Sequence, residues 1–182
     1  MISPRLFEAS VLPHLDAAFN YARWLTKNDA AAEDVVQDAC VKAMRFISSL
    51  RGDDARAWFL AIVRNTWYSR VSRPAAVADA SRPDGAADDM PDEKLDPEAR
   101  LMQQQTVTRV RDALEQLPAD FREVIVLREI EGLSYKEIAA VVRVPIGTVM
   151  SRLHRGRAML ASRLCHEKND VICRMPAARP IS

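Results

Sequence analysis

The 182-residue chain has little glycine and little cysteine, and each shortage excludes a class of protein. It holds only five glycines beside many alanine, leucine, valine, arginine and glutamate residues, a composition that favours helix because most of these side chains lose little freedom there. Its three cysteines are an odd number, which argues against the disulfide framework of a small secreted protein. Hydrophobic residues make up 48% of the chain, which excludes a chain that is disordered throughout.

Long apolar runs are also missing from the sequence. No segment approaches the roughly 20 apolar residues that span a bilayer. The start of the chain, MISPRLFEAS, lacks the basic stretch and the apolar block of a secretory signal. We therefore expect a cytoplasmic protein with no membrane insertion.

The net charge of +1 conceals three segments of different charge. Residues 1–73 sum to +2, residues 74–100 to −5 and residues 101–182 to +4. The acidic middle segment has almost no large apolar side chains, so burial cannot offset the entropy that would be lost on ordering it. We predict an all-α fold of two small helical domains, residues 1–73 and 101–164, joined by a flexible acidic linker, residues 74–100, and followed by a C-terminal tail, residues 165–182.

The N-terminal domain is predicted to be a bundle of three helices. They are expected at about residues 13–27, from residue 28 or 29 onward, and from about residue 54 to residue 73, with Asn28 or Asp29 and Asp53 or Asp54 as caps. The side chains expected to be buried at helical spacing are Leu15, Phe19, Ala22 and Leu25, then Val35, Val36, Ala39, Cys40, Ala43 and Phe46 or Ile47, then Trp58 and Phe59.

The C-terminal domain is predicted to contain four helices. Asp96 followed by Pro97 is a typical helix start, Pro118 ends that helix, and Gly132 suits a left-handed cap at the end of the next one. The side chains expected to be buried are Leu101, Val107, Val110, Leu114 and Leu117 in the first helix, and Phe121, Val124, Ile125, Leu127 and Ile130 in the second.

The last two predicted helices have the pattern of a helix-turn-helix. Ser134 and Glu137 form a capping box, the short helix body IAAVV follows, and the segment VPIG forces a turn before a basic helix begins near Thr148. From Leu133 to Arg163 there are six basic residues and one acidic residue, which suits phosphate and guanine contacts.

Helical geometry divides the basic helix into two faces. Val149, Leu153, Gly156 and Leu160 fall on one stripe, which is expected to be buried, and Gly156 would permit a close approach of another helix. A solvated basic helix in an ordinary bundle would explain the charge, but not the combination of capping box, turn and two distinct faces. The residues predicted to contact duplex DNA are Lys136, Thr148, Ser151, Arg152, His154, Arg155 and Arg157.

Two separate strings resemble regions of the extracytoplasmic-function sigma factors. LPADFREVIVLREIEGLSYKEIAAVVRVPIGTVMSRLHRGRAML resembles their region 4, and AAAEDVVQDACVKAMRF with RAWFLAIVRNTWYSRVSR resembles their region 2. The resemblance implies a sigma factor that joins core RNA polymerase and directs promoter-specific initiation, in a stress or environmental response. It also implies recognition of a double-stranded minus-35 element by region 4, capture of a single-stranded minus-10 element by region 2, and control by an anti-sigma factor.

The resemblance assigns further residues in region 2. Asp34, Gln37 and Asp38 match the family's AEDxxQD signature, which implies docking on polymerase; Asp34 and Asp38 are also one helical turn apart and share a face. In the third helix, arginines beside aromatic rings suit single-stranded DNA, because bases stack on rings while phosphates meet guanidinium groups. The residues predicted to contact the minus-10 element are Arg56, Arg64, Asn65, Tyr68, Arg70 and Arg73, and residues 48–54 resemble the loop that holds an extruded base.

One residue departs from the family pattern in the basic helix. Met150 stands where lysine is frequent in the string GTVKSR. We expect the loss of that positive charge to weaken one phosphate or base contact.

Alternative functions remain open at this stage. Cys165, His166 and Cys173 are weak candidates for metal ligands, because a fourth ligand is lacking nearby. An enzyme with Cys40 or His14 as its catalytic residue is a poor alternative, because no acid is suggested that would orient a histidine beside the thiol. We expect no cofactor and no catalysis. A protein-interaction module is a further hypothesis. A helix-turn-helix regulator that acts without polymerase is a closer alternative, and only the resemblance of the N-terminal half to region 2 argues against it.

Overall fold

A computed structural model describes residues 4–50, 54–72 and 97–173 of the chain. Side chains are described throughout these ranges except at residues 4, 97–100 and 166–173. The described residues form helices and short helical turns and contain no strand, as the composition predicts. Most of the predicted linker lies outside the described residues, and so does Arg73.

The described residues of the N-terminal domain form four α-helices. They are α1 (Pro4–Val11), α2 (Leu15–Thr26), α3 (Asp29–Phe46) and α4 (Ala55–Val71). The sequence predicted the last three but not α1, which a short 3-10 turn joins to α2. Helix α1 is thus an additional helix that precedes the predicted bundle of three.

The start of α3 and part of the core of this domain follow the sequence pattern. Six side chains predicted to be buried are only half-buried, namely Leu15, Phe19, Leu25, Val36, Cys40 and Trp58. Asn28 caps α3 by accepting a hydrogen bond from the Ala31 amide at 2.8 Å, whereas the Asp54 side chain makes no capping bond to α4. Tyr21 and Phe59 are fully buried, and Ile47 rather than Phe46 faces the core.

The C-terminal domain contains α5 (Pro97–Glu115), α6 (Ala119–Ile125), α7 (Tyr135–Val142) and α8 (Ile146–Cys173). A π-helical turn, Val126–Ile130, continues α6. Gly132 follows with φ of +68°, the left-handed conformation that its position predicts. Helix α8 extends beyond residue 164, the predicted end of the domain.

Two predictions about buried side chains in this domain were wrong. Leu101, Val107 and Val110 are exposed, because α5 meets α8 near its C-terminal end, where Arg163 donates to Gln116 Oε1 at 2.8 Å. Ile130 is also exposed, because the π turn widens the helix and shifts the phase of its side chains.

The two domains pack against each other within the described structure. Helix α4 lies against α7, and α2 lies against α6 and the π turn. Buried apolar residues of both domains join in one continuous cluster. The packed arrangement brings α4 to the start of the helix-turn-helix.

Candidate promoter and polymerase interfaces

The helix-turn-helix forms as the sequence predicts. The Ser134 amide donates to Glu137 Oε2 at 2.6 Å and the Glu137 amide donates to Ser134 Oγ at 3.3 Å, so the capping box is complete. Hydrogen bonding of the carboxyl to the side chain and the amide of Ser134 holds the pKa of Glu137 below its ordinary value. Arg143 ends α7 in the left-handed conformation with φ of +56°, and the chain turns into α8 within three residues.

The buried stripe of α8 matches the prediction at three of its four residues, and the fourth, Leu160, is half-buried. Val149 and Leu153 are almost fully buried, and Gly156 lies so close to α6 that an added Cβ would come within 2.8 Å of Ile125 Cδ1. Glycine at this position therefore allows α8 to approach α6 and fixes the direction in which the opposite face of α8 points.

The predicted DNA face of α8 lies on the outside of the domain. Ser151, His154, Arg155 and Arg157 are exposed, and so is Lys136 on α7, while Thr148 and Arg152 are half-buried at the flank. Met150, which replaces the frequent lysine, is 51% exposed on this same side.

Two of the three arginines on this face already have an acidic partner. Arg152 Nη2 lies 2.7 Å from Asp120 Oδ2, and Arg157 Nε donates to Glu129 Oε1 at 3.0 Å. Arg155 makes no ion pair with any described residue. Its guanidinium group can therefore meet DNA without first giving up an acidic partner.

Two of the predicted minus-10 residues of α4, Arg56 and Arg64, pair with acids of the C-terminal domain. Arg64 Nε donates to Glu123 Oε1 at 2.8 Å, and the Arg64 guanidinium lies 4.5 Å from the centroid of the Tyr68 ring. Arg56 Nη2 lies 2.6 Å from Glu131 Oε2. Asn65 and Tyr68 line a shallow open groove together with Ser69, Ser72 and Arg143.

The predicted polymerase-binding residues lie together on the exposed face of α3. Asp34, Gln37 and Asp38 are all exposed. Asp38 Oδ2 is 2.6 Å from Arg70 Nη2, and the same Nη2 donates to the Asp34 carbonyl oxygen at 3.2 Å. One ion pair thus joins the predicted polymerase surface to the predicted minus-10 surface.

Sequence reasoning missed three residues at the contact between the domains. Tyr21 is fully buried and its hydroxyl donates to Glu123 Oε1 at 2.6 Å, while Glu123 and Glu131 are buried acids on the segment from α6 through the π turn. Burial and the charge of Glu123 raise the pKa of Tyr21 well above its ordinary value, so the hydroxyl stays protonated. In the sequence, the only indication of this contact was a tyrosine on the apolar side of α2.

The alternative sites gain little support from the described residues. Burial raises the pKa of the Cys40 thiol, and burial and the charge of Arg56 lower the pKa of His14. A thiol with a raised pKa is a poor nucleophile. The described part of the chain has no group of three metal-ligating side chains, although the side chains of His166 and Cys173 lie outside it and Cys165 is exposed. No described helix is long and apolar enough to cross a membrane.

Comparison with protein families identifies both halves of the chain. Residues 11–76 match Sigma-70 region 2, and residues 108–160 match Sigma-70, region 4. The two matched segments contain α2 to α4 and most of the domain that carries the helix-turn-helix.

Curated relatives and a solved structure agree with these matches. The chain is 32% identical over 160 residues to the ECF RNA polymerase sigma factor SigE of Mycolicibacterium smegmatis, a match that covers 88% of this chain and 62% of that protein. It is 34% identical over 164 residues to the RNA polymerase sigma-H factor of Pseudomonas aeruginosa, covering 84% of this chain and 83% of that one. Its fold is similar to that of the sigma factor RpoE from Bartonella quintana, solved in complex with the anti-sigma factor NepR, with a TM-score of 0.67, 31% identity and coverage of 87% and 96% of the two chains. The chain therefore belongs to the extracytoplasmic-function sigma factors of the sigma-70 family.

Proposed function

We propose that this protein is a non-catalytic sigma factor of the cytoplasm, which binds core RNA polymerase and directs initiation at a particular set of promoters. The observation that carries the proposal is the presence of region 2 and region 4 on one chain, in that order. A stress or environmental signal would set its activity.

For region 4, we propose that the outer face of α8 enters the major groove of the minus-35 element. This face is basic and exposed, while the opposite stripe holds the helix against α6. An α-helix fits the major groove, and arginine pairs with guanine there through two hydrogen bonds. Arg155 is the residue best placed for such a contact, with Lys136, Thr148, Ser151, Arg152, His154 and Arg157 around it.

For region 2, we propose that α4 holds the single-stranded minus-10 element. Arg64 over Tyr68 supplies a cation beside a ring, and Asn65 lies in the adjoining groove. Stacking on an aromatic ring and contact with a phosphate are the two interactions that capture single strands. Arg56, Arg70 and Arg73 would complete the basic surface.

For polymerase docking, we propose the acidic face of α3. Asp34 and Asp38 are exposed and one turn apart, and Gln37 lies beside them. A carboxylate pair of this kind favours a basic partner surface. Asp38→Ala should weaken binding to core polymerase in a pull-down, whereas Glu8→Ala, which removes an exposed acid from α1, should leave it unchanged.

An anti-sigma factor is the further partner that we propose. The structural neighbour RpoE was solved with the anti-sigma factor NepR, and this chain matches 96% of that RpoE chain. A protein of that class would bind both domains and keep them from polymerase.

Transcription in a purified system tests the proposal. The chain and core polymerase, mixed with fragments of the source genome, should start RNA synthesis from a subset of fragments, while either component alone should start none. A regulator of the helix-turn-helix type would bind DNA fragments equally well without core polymerase and would start no synthesis with it.

A further inference from the structure

The outer side of α8 carries an exposed apolar side chain among polar ones. Met150 is 51% exposed, and it lies in the second turn of the helix, which begins at Ile146. Ser151 is the next residue, His154 follows one turn later on the same side as Met150, and both are exposed. Met150 therefore shares the solvent-facing surface of the residues that are proposed to contact DNA.

Packing within the domain does not account for Met150. The side chains that hold α8 in place are Val149 and Leu153, which are almost fully buried, and Met150 lies about 100° around the helix from Val149. Ile146, one turn before Met150, is a second apolar residue that is exposed at this end of the helix. A single exposed apolar side chain is ordinary on a protein surface, so its meaning depends on where it lies.

The position of Met150 along α8 is that of a residue that reads bases. In helix-turn-helix proteins, the N-terminal residues of the second helix contact the edges of the base pairs in the major groove. Met150 lies in that part of α8 and comes before Arg155. When α8 enters the groove, the Met150 side chain therefore faces base edges.

The chemistry of methionine limits what Met150 can recognise there. Its thioether has no hydrogen-bond donor and is only a weak acceptor, so it cannot bind phosphate or guanine as the lysine that is frequent at this place can. It is a flexible, polarizable side chain that adapts to irregular apolar surfaces. The apolar group that a base pair presents in the major groove is the C5-methyl of thymine. Contact with that methyl group is the interaction that suits Met150.

We propose that Met150 contacts the C5-methyl group of a thymine in the minus-35 element and makes the chain prefer an A·T pair at that position. This inference rests on the proposed entry of α8 into the major groove and adds the identity of a base to it. Burial of one methyl group corresponds to about a fourfold gain in affinity. The charge of Arg155 supplies binding that does not depend on this methyl group.

Replacement of thymine by uracil tests the contact, because it removes the methyl group and leaves the hydrogen-bonding groups of the base unchanged. The parent duplex is the minus-35 segment of a promoter from which the chain and core polymerase start RNA synthesis. Each thymine is replaced in turn, and each duplex competes with the labelled parent for the full-length chain bound to core polymerase. We expect uracil at one thymine to lower the affinity about fourfold, and Met150→Ala to bind both duplexes equally.

Further variants separate the apolar contact from other effects of the substitution. Met150→Leu keeps an apolar side chain and should retain a preference for thymine of about twofold or more. Met150→Lys should lose the preference while binding both duplexes at least as tightly as the wild type, because its ammonium group attracts phosphate. Met102→Ala is the matched control: Met102 is 67% exposed on α5, and its removal should leave the full preference for thymine. Circular dichroism should show unchanged helix content in every variant.

The outcomes separate the methyl contact from the proposed function of α8. A minus-35 segment without thymine, a wild-type complex that shows no uracil effect, or a uracil effect that persists in Met150→Ala overturns the methyl contact. Arg155→Ala tests the function itself, since it should weaken the binding of thymine and uracil duplexes by the same factor. If it leaves both affinities unchanged, the entry of this face into the groove is wrong; if it weakens both and no uracil effect exists, only the methyl contact is wrong.

Discussion

Arg155 is the arginine of α8 whose removal should weaken DNA binding most directly. It makes no ion pair with any described residue, whereas Arg152 and Arg157 each have an acidic partner to exchange for DNA. We expect Arg155→Ala to weaken binding to a minus-35 duplex by about 1–3 kcal/mol, or roughly 5- to 150-fold. Fluorescence anisotropy at one fixed salt concentration measures the change.

Arg163→Ala controls for the loss of positive charge alone. Arg163 lies on the same helix but donates to Gln116, away from the predicted DNA face. Its removal should have little effect, and Met150→Lys, which restores the frequent lysine on that face, should strengthen binding. Equal losses in Arg155→Ala and Arg163→Ala would contradict the assignment of the faces.

The ion pair between Asp38 and Arg70 connects two proposed interfaces. Asp38 must give up Arg70 in order to meet a basic surface of polymerase, and an exposed pair of this kind is worth about 0–1 kcal/mol. We therefore expect Arg70→Ala to tighten binding to core polymerase by up to about fivefold while promoter opening is impaired.

Binding and opening can be measured separately on the same Arg70 variant, by polymerase titration and by permanganate reactivity of unpaired thymines. Arg45→Ala, which removes an exposed cation from α3, should leave both unchanged. Weaker polymerase binding by Arg70→Ala would argue that Arg70 itself faces polymerase.

Among the elements, α8 depends on Gly156 for its position. A valine there would place its Cβ 2.8 Å from Ile125 Cδ1 and 3.3 Å from Phe121 Cβ and would add two methyl groups beyond it. We expect Gly156→Val to lower the free energy of unfolding by about 2–3 kcal/mol through overpacking. Urea unfolding followed by circular dichroism provides the measurement.

Gly147 gives a matched comparison on the same helix. An added Cβ there would meet no atom within 4 Å, and its φ is not positive. Gly147→Ala should therefore raise the free energy of unfolding by about 0.4–1 kcal/mol, because alanine has less freedom to lose on folding. A loss of stability in Gly147→Ala comparable with that in Gly156→Val would show that close packing is not the reason for Gly156.

The capping box should make the stability of the helix-turn-helix depend on pH. Ser134 holds the pKa of Glu137 below its ordinary value, so the ionised carboxylate stabilises the folded state. That contribution is present above the unfolded pKa of about 4.3 and is lost as the pH falls through the lowered value. Ser134→Ala should cost about 0.5–2 kcal/mol at pH 7, measured by urea unfolding, and progressively less as the solution is acidified.

Glu137→Gln serves as the control for this pH dependence, since its amide cannot titrate. It should lower stability at pH 7 and show a flatter profile below pH 5. A Ser134→Ala effect that is constant from pH 7 to pH 3 would contradict the role of the carboxylate.

Local sequence patterns predicted some elements correctly, and the exceptions have identifiable causes. The capping box, the left-handed glycine and the stripe of α8 depend on residues a few positions apart, so periodicity and turn chemistry were enough to predict them. The exposed residues Leu101 and Ile130 could not be predicted in this way. The first depends on where α5 meets α8, and the second on a π turn that breaks the 3.6-residue period.

At the scale of the whole molecule, the contact between the domains was beyond prediction from the sequence. Tyr21 and Glu123 are 102 positions apart, and helical periodicity makes Tyr21 a core residue and Glu123 a surface residue. Only the packed structure shows that the Tyr21 hydroxyl and the Glu123 carboxylate are hydrogen-bond partners. The candidate interfaces could be assigned from motifs and resemblance, but the pairing of Arg64 with the Glu123 carboxylate could not.

The packing of the two domains should become tighter as the pH falls. Burial raises the pKa of Glu131 despite the opposing effect of Arg56, and burial and the charge of Glu137 raise the pKa of Asp54, with Lys136 opposing. On separation both carboxyls would return toward their ordinary values of about 4, so the packed form takes up protons at a higher pH than the open form. Glu137 has a lowered pKa, but its main partner is Ser134 in its own domain, and that bond survives separation. We expect the radius of gyration to decrease as the pH is lowered from 7 to 5. The double variant Asp54→Asn with Glu131→Gln should show no such trend, and a wild-type chain that expands over this range would contradict the role of Asp54 and Glu131.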